Sequence, residues 1–173
     1  GMSLSGDVIT GLYNGISARG YEAVGPSCQF EVSAISHPYV MIGVGTSAAP
    51  LYKRPGDNSA SWGIWLAGGS ISNGGSSIST GGAINPTSVV GVVVEFANLK
   101  IYVDGILRTS LYTGLPADVK PMISLHAASG TWSARVNVGA TPFIHPIVGA
   151  SAWAGDEAGL VAPRVATCEI KRA

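Results

Sequence analysis

Acidic residues and histidines are the first candidates for catalysis, and in this chain they are few and scattered. The 173 residues include ten Asp and Glu and three His. Glycoside hydrolysis needs two carboxylates that flank one bond, about 5–10 Å apart. Glu31 and Glu95 each stand alone in an apolar stretch, and the side chains of the adjacent Asp156 and Glu157 diverge. The pattern predicts hydrogen-bonded or rim positions for Glu31 and Glu95 rather than a catalytic pair.

Signatures of a serine hydrolase or a metal site are also missing. A nucleophilic serine on a strained turn needs a pattern such as Gly-x-Ser-x-Gly, and neither 68–72 nor 75–79 fits it. No histidine lies three or four residues from another, and Cys28 and Cys168 form no Cys-x-x-Cys pair. Turn chemistry explains the Asp and Asn of 54–58 more simply than a calcium site does. The sequence therefore predicts no catalytic residue, no metal and no cofactor, and a hydrolase is the least favoured reading.

The charge balance and the apolar runs of the sequence narrow the kinds of partner that this protein binds. Ten Lys and Arg balance ten Asp and Glu, so the basic footprint of a nucleic-acid binder is absent. The longest apolar run, 89–94, has the length of a strand and falls far short of the roughly 20 residues that cross a membrane. No charged and apolar leader opens the chain, and Gly1 before Met2 is typical of a remnant of tag removal. We expect one neutral domain over residues 1–173, cytoplasmic or virion-associated, with no nucleic-acid or membrane partner.

Short β-branched runs separated by turn residues predict strands, and no window has the spacing of an amphipathic helix. Asp104-Gly105 predicts a hairpin with a type I′ turn. The glycine- and serine-rich stretch 68–82 predicts a long connection between sheets with one short strand at 70–72, and 149–163 predicts a surface loop. We therefore expect an all-β fold, an antiparallel sandwich of two sheets with little or no helix. The predicted strands are 30–35, 39–44, 89–96, 100–103, 106–109, 122–126, 132–138 and 165–171.

Five stretches, taken in order, resemble the SPRY domain, a bent concanavalin-like β-sandwich that serves as a binding module. The resemblance covers residues 25–143 and agrees with the strands inferred from the residues alone. Glu95, Asp104 and Val138 replace the family's usual Asp, Asn and aromatic residue. The low charge and the Gly and Ser content look more like stand-alone bacterial or phage modules than like those of ubiquitin ligases. The stretches are 25–32 (GPSCQFEV), 41–46 (MIGVGT), 61–64 (SWGI), 90–105 (VGVVVE and KIYVDG) and 121–143 (PMISL, VNVG and PF).

The resemblance also implies a binding site. In SPRY modules that bind peptides, loops at one end of the sandwich build the pocket, and by motif these correspond to 51–61 and 128–132. Trp132 begins a predicted strand, and its sequence position leaves open whether it is buried or partly exposed. The implied ligand-binding residues are Tyr52, Arg54, Asp57 and Asn58 from the first loop and Thr131 and Trp132 from the second.

The favoured function is therefore a non-enzymatic module that recognises a peptide or a protein surface through these loops, with aromatic side chains as anchors. A carbohydrate-binding, lectin-like domain of a phage tail or virion protein is the first alternative, because aromatic rings also stack on sugars. A structural assembly domain is the second, because low charge and abundant glycine favour self-association. The oligomeric state stays open. Cys28 and Cys168 either bridge neighbouring first and last strands or remain two buried thiols, which a cytoplasmic or virion-interior origin favours.

Overall fold

Short strands make up the protein, as its pattern of alternation and turns requires. A computed structural model describes residues 2–5, 7–12, 17–19, 26–125 and 131–153, and these form strands and no helix. These ranges thus contain no helix that is long and apolar enough to cross a membrane. The strands are β1 (Met2–Ser5), β2 (Val8–Leu12), β3 (Ser17–Arg19), β4 (Ser27–Ser33), β5 (Val40–Gly45), β6 (Ser61–Trp65), β7 (Ser70–Asn73), β8 (Ser76–Ser79), β9 (Val90–Glu95), β10 (Asn98–Val103), β11 (Ile106–Tyr112), β12 (Lys120–Leu125), β13 (Thr131–Asn137) and β14 (Ser151–Ala152).

The strands form two sheets. Sheet A has the order β1-β2-β13-β4-β9-β10-β11, and sheet B has the order β3-β12-β5-β6-β7-β8. Paired strands are antiparallel, except that β14 lies parallel to β4 with Ser151 opposite Cys28. The chain passes from one sheet to the other after β2, β3, β4, β8, β11 and β12. The predicted all-β, two-sheet architecture is confirmed.

Alternation along the strands places one face of each sheet against the other. Phe30 and Val32 of sheet A and Ile42 and Ile64 of sheet B are at most 1% exposed and belong to a single cluster. Trp153, which follows β14, meets Phe30 edge to face with ring centroids 5.2 Å apart. Burying such side chains contributes about 1.5–3 kcal/mol each, so this interior dominates the stability of the fold.

Two hairpins show how turn residues decide the strand pairing. Asp104 and Gly105 have φ values of 51° and 78°, which confirms the predicted type I′ turn. The low-complexity stretch contains more structure than predicted, because β7 and β8 form a hairpin across Gly74 and Gly75 instead of one short strand. Those glycines have φ values of 58° and 84°, which the same turn type requires. Ile71 of β7 pairs with Ile78 of β8, and that alternation among serines was the sequence signal for the second strand.

Residues 139–150, between β13 and β14, form a loop that crosses the outer face of sheet A. We call this loop the strap. The Glu31 carboxylate accepts hydrogen bonds from the backbone N–H groups of Ile144 and His145, both at 2.7 Å. Gln29 Oε1 accepts from Ile147 N–H at 2.9 Å, and Gln29 Nε2 donates to the His145 carbonyl at 2.9 Å. Glu31 is 2% exposed, which confirms the prediction of a hydrogen-bonded carboxylate.

Several predictions fall partly or wholly outside the described residues. These include the strand 165–171, most of the loop 149–163 and Cys168. The described part of that loop contains β14, which the sequence did not predict. Cys28 is buried in the core at 0% exposure, and whether it bridges to Cys168 stays open.

Candidate functional site

The first loop implied by the resemblance lies flat on sheet B. It belongs to a longer stretch, the covering segment (residues 46–60), which crosses the outer face of that sheet. Leu51 packs there with Ala49 and with Met122 of β12, and all three are at most 5% exposed. Ser17 of β3 donates from its backbone N–H to the Leu51 carbonyl at 2.8 Å and from Oγ to the Lys53 carbonyl at 2.6 Å. The segment is thus attached to the sheet by packing and by hydrogen bonds.

A glycine of β6 lets the covering segment approach the sheet closely. Gly63 lies between Trp62 and Ile64, so its missing side chain would point to the outer face. A Cβ at Gly63 would lie 2.4 Å from the Pro55 carbonyl oxygen, which is closer than atoms can pack. The Gly56 N–H donates to Ser61 Oγ at 2.9 Å on the same face. Glycine in a strand interior often marks such an approach of backbone to backbone.

Arg54 and Asp57 face one another within the covering segment. Asp57 Oδ2 accepts from Arg54 Nε at 2.7 Å and from the Arg54 backbone N–H at 3.3 Å. The Asp57 N–H in turn donates to the Arg54 carbonyl at 3.1 Å. The two side chains are about a quarter exposed, 23% and 25%, so a ligand could reach the pair from one side. Their first role is to close a turn.

Asn58 also shapes the segment. Its Oδ1 accepts from the Ala60 N–H at 2.9 Å, and its carbonyl accepts from the Ser61 N–H at 3.2 Å. The Nδ2 atom is buried and has no acceptor among the described residues. The Asn58 amide is therefore directed into the loop rather than toward solvent.

Tyr52 differs from these neighbours because its side chain is 65% exposed. The backbone on both sides of it is held by Ser17, through the carbonyls of Leu51 and Lys53. Because the backbone at Tyr52 is already held, binding a partner through its exposed ring costs little further conformational entropy.

The second implied loop contributes less than expected. Thr131 is exposed, whereas Trp132 is 1% exposed and faces the core beside Ala134. A Cβ at Gly11, which lies opposite Trp132, would come within 2.3 Å of Trp132 Nε1, so the indole fills the space above that glycine. The expectation that the Trp132 ring anchors a ligand is wrong, because strand alternation turns it inward. Residues 128–130 lie outside the described ranges.

The two implied loops join sheet B at opposite ends. Ser61, where the first loop ends, lies opposite Gly45 at the end of β5. Leu125, after which the second loop begins, lies opposite Val40 at the start of β5. The first loop nonetheless crosses the sheet face toward the second, because Ser17, which bonds to the Leu51 and Lys53 carbonyls, lies opposite Ser124, next to Leu125.

The sequence reasoning missed an aromatic stack near the start of β5. Tyr39 and Trp65 lie nearly parallel, with ring centroids 6.3 Å apart and 26° between the planes, and His37 lies 5.3 Å from Tyr39. Tyr39 is 43% exposed. A Cβ at Gly68 would lie 2.3 Å from Trp65 Cε3, so the ring rests against that glycine. The alternation of β6 placed Trp65 on the outer face, and that was the available signal.

An ion pair between Lys100 of β10 and Glu95 of β9 lies on sheet A, away from the covering segment. Lys100 donates to the Glu95 carboxylate, and this hydrogen bond raises the pKa of Lys100. Burial raises the pKa of the Tyr112 hydroxyl. Within the part of the chain that the structure describes, no three His, Cys, Asp or Glu side chains are grouped to hold a metal ion.

The architecture defines a class, the two-sheet β-sandwich whose outer faces are crossed by connecting segments. Among solved structures, a crystal structure of a human SPRY domain is similar, with a TM-score of 0.64 and 20% sequence identity over 82% of this chain and 97% of that chain. Comparison with family models and with curated proteins finds no match. The chain has a SPRY-like fold, and the fold expected from the sequence resemblance is confirmed.

Proposed function

We propose that the protein is a non-enzymatic binding module that takes a peptide segment or a protein surface on its covering segment. Tyr52 is the anchor, and the Arg54–Asp57 pair and Thr131 supply polar contacts. Asn58 shapes the segment, and Trp132 supports β13 from the core. The observation that carries the proposal is the 65% exposure of Tyr52 on a backbone held by Ser17.

Two further observations support binding over catalysis. The carboxylates that the sequence offered as candidates are engaged, since Glu31 holds the strap and Glu95 pairs with Lys100. Exposed aromatic side chains, by contrast, are the type of residue in which binding energy concentrates at protein interfaces. The SPRY-like fold is consistent with this reading by analogy of fold.

The test begins with selecting peptides against the whole chain by display, and then measuring their affinity by calorimetry. Tyr52→Ala should weaken binding of a selected peptide by at least about tenfold, because truncating an interface anchor costs more than about 1.4 kcal/mol. Phe96→Ala is the matched control, since Phe96 is an aromatic side chain 72% exposed on a turn of sheet A. If Tyr52→Ala binds the selected peptide as tightly as the unmodified protein does, the proposed site at Tyr52 is wrong.

The Tyr39–Trp65 stack favours a second candidate, a carbohydrate-binding site. Sugars present apolar faces that pack on exposed aromatic rings, and Tyr39 offers such a ring beside a polar imidazole, His37. A glycan array distinguishes the two functions. Glycan binding that is lost in Tyr39→Ala and kept in Tyr52→Ala would support the lectin-like function and count against the peptide site.

A further inference from the structure

The two sheets end very differently on one side of the sandwich. Within the described ranges, sheet A ends there in β11 and sheet B ends in β8. The last strand of a sheet presents backbone donors and acceptors along its open side. Such an edge is a template for pairing with another chain, and proteins limit this pairing by charge, proline, a bulge, a covering segment or a very short edge strand.

The β11 edge carries these protections. The pairing of β10 with β11 contains two register shifts, which twist an edge strand away from regular pairing. Arg108 of β11 donates to the carbonyls of Thr80, Gly81 and Gly82, at 3.0, 2.7 and 2.9 Å. A charged side chain and a covering turn therefore guard this edge.

The β8 edge is short but, in the described part of the chain, carries none of the other protections. Its four residues, Ser76–Ser79, are all exposed and include neither proline nor a charged side chain. Its pairing with β7 is continuous, without a bulge. No charged residue occurs from 58 to 94, so β6, β7 and β8 themselves carry no charge, and the hydrogen bonds of Arg108 go to the turn after β8, residues 80–82, rather than to the strand.

An apolar row also runs through sheet B and stops at this edge. Five isoleucines lie directly opposite one another on successive strands, on the face that packs against sheet A. The first four are at most 4% exposed, and the last, on β8, is 45% exposed. Side chains that lie directly opposite one another on neighbouring strands stabilise a sheet. Among the described strands, Ile78 has such a partner on one side only, so the row is incomplete at its outer end. The row is Ile123, Ile42, Ile64, Ile71 and Ile78.

We propose that β8 pairs with β8 of a second copy of this chain. The two strands run antiparallel about a twofold axis, and Ile78 of each copy lies opposite Ile78 of the other, which extends the isoleucine row across the interface. A twofold interface must be self-complementary, and a neutral strand of serines around one isoleucine meets that condition. The net charge of zero means that no long-range repulsion keeps two copies apart. This association is centred on Ile78, whereas the proposed peptide site is centred on Tyr52.

The interface is small, which sets the expected strength. Two four-residue strands bury much less than the roughly 1,000 Å² of a stable interface. Self-association should therefore be weak and appear only at high protein concentration. Sedimentation equilibrium between about 10 μM and about 1 mM covers the range in which such weak dissociation constants lie.

The mass of the unmodified chain should rise from 17.6 kDa toward twice that value across this range. Ile78→Lys should stay monomeric throughout, because it places a charge at the axis of the dimer. Ile106→Lys is the matched control, since Ile106 is an exposed aliphatic side chain on the β11 edge and should leave association unchanged. A chain that is monomeric at the highest concentration, or association that only Ile106→Lys abolishes, would overturn the proposal.

A crosslinking pair tests the register. Side chains directly opposite one another in an antiparallel pair lie about 4.5–5.5 Å apart, within reach of a disulfide. Ile78→Cys should form a covalent dimer under mild oxidation, above the background of the unmodified chain. Ser76→Cys should not, because that position lies away from the axis in this register. Equal crosslinking of both variants, with thermal unfolding confirming that both fold, would reject the Ile78–Ile78 register.

Discussion

The two outer faces of the sandwich are both crossed by connecting segments, but the attachments differ. The strap on sheet A is held by two buried polar side chains of β4, Gln29 and Glu31, which bond directly to its backbone. The covering segment on sheet B is held by packing over Met122 and by its close approach to Gly63, together with the hydrogen bonds that Ser17 donates to its Leu51 and Lys53 carbonyls. Two buried side chains of one strand fix the strap, whereas packing carries a larger part of the attachment on sheet B and leaves that segment sensitive to shape. The covering segment is also the one that presents Tyr52.

The largest expected effect comes from breaking the strap's attachment. Glu31→Gln keeps the size of the side chain but replaces one acceptor oxygen by an NH₂ group, which faces a backbone N–H. Hydrogen bonds to a charged group contribute about 1.5–3 kcal/mol each, so we expect a loss of about 2–3 kcal/mol in urea unfolding. Amide hydrogen exchange should speed up at Ile144 and His145 and stay unchanged in the covering segment. If amide hydrogen exchange accelerated equally in the strap and in the covering segment, the strap would not open as a separate unit.

A smaller effect is expected from adding one methyl group under the covering segment. Gly63→Ala places a Cβ against the Pro55 carbonyl, and such overpacking costs about 1–3 kcal/mol. Exchange should accelerate in the covering segment and not in the strap, the reverse of Glu31→Gln. Gly91→Ala on sheet A is the matched control, since the nearest atom to its Cβ, in Tyr102, would be 3.4 Å away. If both alanine variants behave alike, close approach to Pro55 does not hold the segment.

The smallest expected effect is a dependence on alkaline pH confined to sheet A. The pKa of Lys100 is raised by its hydrogen bond to Glu95, and the pKa of Tyr112 is raised by burial. A raised pKa in the folded state contributes stability below the unfolded-state value, and that contribution is lost as the pH rises through the folded value. The unfolded values are 10.5 for Lys100 and 10.0 for Tyr112, so stability should fall above about pH 10. The effect is modest, because solvent screens a partly exposed ion pair.

Thermal unfolding followed from about pH 8 to about pH 11 checks this dependence. Glu95→Gln should flatten the alkaline fall, because Lys100 then loses the partner that raises its pKa. Asp57→Asn on the covering segment serves as the control and should leave the fall unchanged. A profile that Glu95→Gln does not alter would show that the Lys100–Glu95 pair adds nothing to stability.

Local patterns in the sequence were sufficient wherever neighbouring residues decide the structure. Alternation along β13 placed Ala134 in the core, and Asp104-Gly105 specified its turn because both positions require positive φ. Phe96 was assigned to a strand, yet it lies in a turn with φ of 46°, which its residue type does not favour. The hairpin of β7 and β8 was underestimated because a run of glycine and serine has the same composition as a linker.

The candidate site was harder to predict, because its residues meet only in the folded chain. Tyr52 is exposed, as a binding residue must be, and its role in binding stays a prediction. The role of Trp132 depended on which face of β13 meets sheet B, and the path of the covering segment depended on Ser17, which is distant in sequence. Gly63 was the main local sign that the backbone of another segment approaches the outer face of sheet B.

By itself, the sequence determined an all-β chain of zero net charge, since alternation and turn propensity act between residues close in the chain, and its motifs carried the resemblance to SPRY domains. Only the tertiary structure decided that Glu31 holds the strap, that Tyr52 sits on a held backbone and that the isoleucine row reaches an open edge at Ile78. Each of these depends on strand register and on contacts between residues far apart in the chain. Such contacts form only when two sheets pack, and no local pattern encodes them.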